Sequence, residues 1–192
     1  MKNPAVHDVQ PVFRLRWSPY SYDRDRPVST ADLESLFEAA RWAMSSFNAQ
    51  PWRYVVGVRG RSDETWQGVF DTLVDANRRW ARNVPVLALG LAELDFEHNG
   101  KPNRHAAHDL GAASASLALE AAARGLAVHQ MGGFSAERAR ELFDLPEGIE
   151  PYTAIAIGYP AEPGTGDEEL EKRDRGERRR KPLEELVIRG GL

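Results

Sequence analysis

Apolar residues recur at two different periods along the chain, and each change of period marks a new element. Leu33, Leu36, Phe37, Ala40 and Met44 fall on one face at helical spacing. Ser29 stands before them as an N-cap, with Asp32 three residues on as a shortened capping box. Tyr54-Val55-Val56-Gly57-Val58 reads as a strand, and Arg59 to Asp63 as a turn. Residues 66–80 predict one helix, with Trp66, Val69, Phe70, Leu73 and Val74 on its apolar side. Val84 to Gly90 is apolar throughout, the mark of a central strand covered on both faces, and Pro85 fits at its start.

The second half continues the alternation. Residues 95–103 are polar and turn-rich and predict a mobile loop. Residues 105–124 predict a long helix ended by Gly125 as a C-terminal cap. Its density of Ala, Gly and Ser lets another backbone approach closely, either in the core or across a subunit interface. Ala127 to Met131 is a short strand leading into Gly132-Gly133-Phe134. Ser135 caps a helix through Phe143, which Leu145-Pro146-Glu147-Gly148 stops, and Tyr152 to Tyr159 is a strand with β-branched content.

The two ends differ from this body. Residues 1–28 form an irregular, extended arm punctuated by Pro4, Pro11, Pro19 and Pro27, where any helix must be short. Residues 161–182 are mostly charged and should wrap over a surface rather than build core. Leu183 to Ile188 regains apolar character and reads as a final strand. Strands and helices mixed in this way predict an α+β fold, a central sheet flanked by helices, in one domain spanning 1–192.

Composition narrows the chemistry. The 192 residues carry 25 basic and 29 acidic side chains, a net charge of −4, so no global basic bias points to nucleic acid. There is no cysteine, which removes disulfides, thiolate nucleophiles and thiolate metal sites together. Met1-Lys2-Asn3-Pro4 lacks the apolar core of a signal peptide, and no apolar run reaches membrane-spanning length. A cytoplasmic protein is the expectation. His105 and His108 are three apart on a helix, but no further ligand accompanies them, so no metal site is expected. With Asp109 they read as the N-terminal turn of that helix.

The segment Ala43 to Trp52, AMSSFNAQPW, is the most concentrated candidate site. Ser45, Ser46, Asn48 and Gln50 offer donors and acceptors suited to a planar ligand with mixed edges. Pro51 fixes its own φ and biases Gln50 away from helix, so the loop is held. A helix cap followed by a turn would use the same residue types. Arg14 and Arg16, two apart in an extended chain, point to one side and with the Ser18 hydroxyl form a phosphate grip. A solvated basic stretch fits those residues equally.

The 43–52 segment resembles the flavin-binding loop of the nitroreductase family, which reads Ala-Pro-Ser-Ser-x-Asn-x-Gln-Pro-Trp, with Met44 in place of the proline. The family's N-terminal Arg-Arg-Ser-x-Arg motif is matched at Arg16 and Ser18, while Trp17 and Tyr20 stand at two of its arginine positions. The resemblance implies that Arg14, Arg16 and Ser18 hold the phosphate of FMN. It places Ser45, Ser46, Asn48 and Gln50 along the ribityl chain and ring edge, with Asn77 and Arg79 at the flavin pyrimidine. It puts a backbone N–H of Met131-Gly132-Gly133 at flavin N5, and brings Arg178 and Arg180 back onto the phosphate.

The same resemblance implies a homodimer with the C-terminal segment exchanged between subunits. It implies ping-pong transfer from NADH or NADPH, through flavin N5, to an electron-poor acceptor such as a nitroaromatic or quinone. Phe134, Phe96 and His98 are then candidate acceptor contacts, and no catalytic side chain is required. Another flavin reaction on the same scaffold, such as dehydrogenation or dehalogenation, and a non-catalytic flavin-storage protein are the alternatives.

Overall fold

A computed structural model describes residues 3–165 and 167–190. The first two residues of the N-terminal arm, Gly166 and the last two residues of the tail lie outside the described residues. The elements in chain order are α1 (Pro11–Leu15), α2 (Thr30–Arg41), β1 (Trp52–Val58), α3 (Asp63–Thr72), α4 (Asp75–Ala81) and β2 (Val86–Glu93). They continue with α5 (Ala106–Ala123), β3 (Ala127–Met131), α6 (Ala136–Phe143), β4 (Ile149–Gly158), α7 (Glu168–Asp174) and α8 (Leu183–Leu186).

The four strands form one antiparallel sheet in the order β1-β2-β4-β3. β2 and β4 are central, and β2 is buried from Val86 to Ala92, as its unbroken apolar run requires. Alternate residues serve opposite layers. Val86, Ala88, Ile155 and Ile157 pack with Leu33, Leu36, Leu110 and Leu117 of α2 and α5. Leu87, Leu89, Ala154 and Ala156 pack with Val69, Trp80, Ala139 and Leu170 of α3, α4, α6 and α7. The result is the α+β arrangement of an antiparallel sheet between helices.

Local signals set several boundaries as expected. The Ser29 hydroxyl accepts from the Asp32 N–H and opens α2. Ser135 does the same for α6 through Arg138. Gly125 follows α5 at φ +74°, and the Leu126 N–H reaches back to the Ala121 carbonyl.

Four expectations are corrected. Met44 lies beyond the end of α2 and is 78% exposed, so it does not extend the buried face. The helix expected over 66–80 is two helices. Leu73 turns to extended backbone and forms a bridge with Phe134, leaving Val74 largely exposed. No Gly or Pro marks that break, because its cause is the tertiary pairing. The 95–103 segment closes as a tight turn, with Asp95 bridged to Pro102 and the Phe96 N–H on the Lys101 carbonyl.

The fourth correction concerns the tail. Leu183 to Leu186 is a short helix, and Ile188 beyond it is 94% exposed. The outer strands β1 and β3 each keep one side unpaired in the sheet, and among the described residues this segment pairs with neither. The charged stretch before it does add to the core, since Leu170 of α7 is buried. Asp167 caps α7 by accepting from the Glu169 and Leu170 N–H groups.

β1 and α3 touch backbone to backbone. A methyl group on Gly57 would come within 2.2 Å of the Trp66 backbone nitrogen. Gly57→Ala should therefore destabilise by about 2–3 kcal/mol, read as a lower denaturant midpoint, because both neighbours are main chain and neither can yield. An unchanged midpoint would mean that the two elements do not meet this closely.

Candidate flavin site

The N-terminal arm runs beside β3 before entering the body. The His129 imidazole, through Nδ1, holds the Pro19 carbonyl at 2.8 Å. The Asp174 carboxylate, at the end of α7, accepts from the Tyr20 and Ser21 N–H groups at 2.8 and 2.9 Å. The arm is thus clamped between a core strand and the returning C-terminal segment. Burial lowers the His129 pKa below its ordinary 6.5, with Arg173 acting the same way and the Pro19 bond and Asp174 opposing.

This clamp assembles a cationic cluster from the two ends of the chain. Arg16 has its pKa lowered by burial and then by the charge of Arg180. Arg178 has its pKa lowered by burial and then by Arg16 and Arg180. The Arg16 guanidinium also donates to the Ser18 hydroxyl at 3.3 Å. Arg178 donates to the Asn3 side-chain oxygen at 2.7 Å and sits 5.0 Å from the centre of the Trp17 ring. Among the described residues, none of the three arginines forms a salt bridge. The Asp174 carboxylate favours the charged form of Arg178 without an ion pair, and three guanidinium groups left unpaired, with the Ser18 hydroxyl beside Arg16, suit a phosphate.

Arg14 is placed differently from expectation. It lies inside α1, which Pro11 initiates, so it does not share an extended face with Arg16. Its guanidinium donates to the Ala5 and His7 carbonyls. Trp17 and Tyr20, the departures from the family motif, act as platforms: Arg178 lies over Trp17, and Arg173 lies 3.8 Å over Tyr20. The guanidinium groups come from the C-terminal segment, and the aromatic rings come from the arm.

The Ser45–Gln50 loop is held in a strained form. Phe47, Asn48 and Gln50 all take positive φ, at 52°, 54° and 47°. For residues other than glycine each costs on the order of 1 kcal/mol. The Asp109 carboxylate, buried near the start of α5, accepts from the Ser46 N–H at 2.9 Å. The Ser45 hydroxyl accepts from the Gln50 N–H at 3.0 Å, and Arg53 donates to the Gln50 carbonyl. Asp109 is therefore a strut of this loop, a role its position in the first turn of a helix did not signal. Phe47 is 83% exposed and packs against Phe96 and His98, with ring centres 5.8 and 6.2 Å away. The structure thus joins Phe96 and His98 to this loop, and Phe47 to them.

The Gly132-Gly133 turn, following Met131 at the end of β3, is clipped to the break between α3 and α4. The Gly133 carbonyl accepts from the Val74 N–H at 3.1 Å and from the Asn77 side chain at 3.0 Å. Ser135 donates to the Thr72 carbonyl at 2.8 Å. The N–H groups of Gly132 and Gly133 have no acceptor among the described residues. Phe134 is half-buried against the core beside Leu73. Arg79 has another partner, Glu169 of α7, so its charge is answered within the chain and raises its pKa.

The arm and the diglycine turn both meet β3, and the C-terminal arginines reach the arm. No hydrogen bond, ion pair or ring contact among the described residues joins them to the Ser45–Gln50 loop. Sequence reading missed Asn3, Asp109 and Phe47. Of these, Phe47 had a signal, since a large apolar residue between Ser46 and Asn48 is out of place in a polar loop.

Sulfate or phosphate should raise the melting temperature of the cofactor-free protein, and Arg178→Gln or Arg180→Gln should remove most of that rise. Without anion at low salt, Arg180→Gln should melt above the parent, because a like charge is gone. That difference should close near 1 M salt, where the screening length is about 3 Å. Thermal scans decide it, and no anion effect in the parent would sink the phosphate reading.

Comparison with known proteins agrees with this geometry. A family model described as "Nitroreductase family" matches residues 14–159. A Mycolicibacterium smegmatis protein without assigned function is 35% identical over 144 residues, covering 72% of this chain and 95% of its own. A Methanothermobacter thermautotrophicus protein, provisionally named an NADH dehydrogenase/NAD(P)H nitroreductase, is 28% identical over 167 residues, covering 83% and 82%. A crystal structure described as an oxidoreductase containing FMN superposes with a TM-score of 0.88 at 30% identity, covering 99% of this chain and 96% of that one. From residue 14 to residue 159 the matched region takes in the second half of the arm, the polar loop and the diglycine turn, and the chain belongs to the nitroreductase family.

Proposed function

We propose that the chain is an FMN-dependent oxidoreductase that carries electrons from NADH or NADPH to an electron-poor acceptor such as a nitroaromatic or quinone. The observation that carries this reading is the cluster of Arg16, Arg178 and Arg180, without a salt bridge among the described residues and with Ser18 on Arg16, held on an arm that runs beside a strand followed by two free N–H groups. Those residues fit FMN at both ends. The guanidinium groups and Ser18 would take its phosphate, and the Gly132-Gly133 turn would donate to the reacting edge of its ring. Bound FMN supplies the two-electron chemistry between nicotinamide and acceptor.

The chain's own part is positioning and electrostatics, so no side chain need act as acid or base. Ser45, Ser46, Asn48 and Gln50 would meet the ribityl chain and ring edge. Phe96, His98 and Phe134 would line the acceptor's place. Arg14 would support the arm, and its carbonyl contacts with Ala5 and His7 fit that work.

The proposal includes a homodimer. The polar loop has no contact with the other parts of the site within one chain, so a second copy would complete the site. Two surface features support this. Ala107, Gly111 and Ala115 form an exposed stripe of small residues on α5. Trp42, Met44 and Phe47 are large, apolar and exposed on the chain that leads into the loop. The C-terminal segment would exchange with the partner, which fits the exposure of Leu186 and Ile188. Among the described residues no helix is long and apolar enough to cross a membrane, and a cytoplasmic location is part of the same proposal.

The purified protein should be yellow and release FMN, and it should oxidise NADH or NADPH faster when a quinone is added. A protein that stayed colourless after incubation with FMN would end this reading. FMN retained without acceptor-dependent turnover would leave a flavin-binding protein. Arg178→Ala should weaken FMN about 10- to 100-fold, the worth of one charge-assisted contact. Ala115→Glu, harmless to an isolated chain, should halve the mass seen by light scattering and release flavin with it. An unchanged mass would place the second copy elsewhere.

A further inference from the structure

The Asn77 side chain is engaged on both sides by the protein itself. Its Nδ2 donates to the Gly133 carbonyl at 3.0 Å, and its Oδ1 accepts from the Trp80 indole N–H at 3.3 Å. An indole nitrogen only donates, so it can meet only the oxygen of the amide. With the oxygen fixed toward Trp80, the amide nitrogen is directed onto Gly133.

Trp80 is itself immobilised. It is 1% exposed, and its ring stacks on His129 at 4.7 Å and on Tyr22 at 6.1 Å, while Tyr20 meets it edge-on at 5.6 Å. At the other end of the relay the fit is tight. A methyl group on Gly133 would come within 2.7 Å of the Asn77 Nδ2 and 3.0 Å of Val74. A β-carbon at 133 would have to displace the Asn77 amide and crowd Val74, before any ligand arrives.

We propose that Asn77 is a positioning residue for the Gly132-Gly133 turn and acts on the flavin through that turn, not by direct contact with the ring. This rests on the flavin reading above. Two consecutive glycines are the most flexible pair a chain can hold, and their N–H groups make useful donors only if their direction is set beforehand. Two donors on the Gly133 carbonyl, from Val74 and Asn77, fix the Gly133–Phe134 peptide plane; the Phe134 N–H in that plane donates to the Gly132 carbonyl at 3.1 Å, and that carbonyl shares its peptide plane with the Gly133 N–H. Trp80 orients Asn77, and the aromatic stack orients Trp80. The break between α3 and α4 has its purpose here, because a continuous helix could not present the Val74 N–H to Gly133.

The test begins with flavin-free protein, so it stands even if FMN is not the ligand. Amide hydrogen exchange is followed at Val74 and Ser135, whose N–H groups bridge the turn to the helix break. Asn77→Leu should speed exchange at both by about ten-fold, the worth of one lost hydrogen bond. Trp80→Phe, which keeps a ring but loses the donor, should move the same amides in the same direction. In loaded protein both variants should shift the flavin reduction potential the same way, with Asn77→Leu shifting it further. Asn77→Asp, nearly isosteric, keeps the question answerable if Asn77→Leu fails to fold. It loses the donor to Gly133 and should reproduce the faster exchange.

Unchanged exchange at Val74 and Ser135 in the Asn77 variants would overturn the proposal, whatever happens to FMN affinity. So would a loss of FMN affinity in Asn77→Leu that Trp80→Phe does not share in kind, since that would mark a direct contact. Failure of the parent protein to bind FMN would defeat the flavin reading and leave the exchange result to decide the relay.

Discussion

Three like charges held together with no salt bridge among the described residues are the constraint around which this molecule is arranged. Arg16 comes from the N-terminal arm, and Arg178 and Arg180 come from the C-terminal segment, so the two ends must be brought to one place. The Asp174 carboxylate does this by taking the Tyr20 and Ser21 N–H groups, and Leu170 anchors the same helix in the core. Burial and mutual repulsion both act against the cluster, and the folded sheet holds it in place nonetheless. Such an arrangement is unfavourable by itself and becomes favourable when an anion enters it.

The replacements at Trp17 and Tyr20 follow from the same constraint. Where a guanidinium arrives from the far end of the chain, an aromatic face in the arm receives it. The arm does not lose charge recognition by carrying rings in place of arginines. It takes over the work of orienting arginines supplied from elsewhere. Tyr20 in turn abuts Trp80 and His129, so the same ring links the returning segment to the core strand that ends at the diglycine turn.

Strain is concentrated in the Ser45–Gln50 loop, the other half of the candidate site. Three departures to positive φ, at Phe47, Asn48 and Gln50, persist because Asp109 and the Ser45 hydroxyl hold the loop from inside. The polar side chains that remain face outward, and so does Phe47. Within one chain this loop has no contact with the cationic cluster, which is the gap the proposed second copy would fill.

Much of the fold was legible because it is written locally. Ser29 and Ser135 announced two helices, Gly125 ended a third, and the unbroken apolar run of β2 declared its central place. The polar loop and both arginine groups stood out by residue type alone. What stayed hidden depended on partners distant in sequence. The helix break at Leu73 is caused by Phe134, and no local residue encodes it. Arg14 fell into a short helix, Arg79 found Glu169, and Leu183 to Leu186 coiled without pairing with either sheet edge. The sequence by itself determined the helix caps, the central strands and the residue types of the site, since periodicity and capping act over a few residues. Only the tertiary structure decided which charges are answered within the chain and which remain for a ligand, because that depends on burial and on neighbours more than a hundred positions away, as Asp174 is from Tyr20.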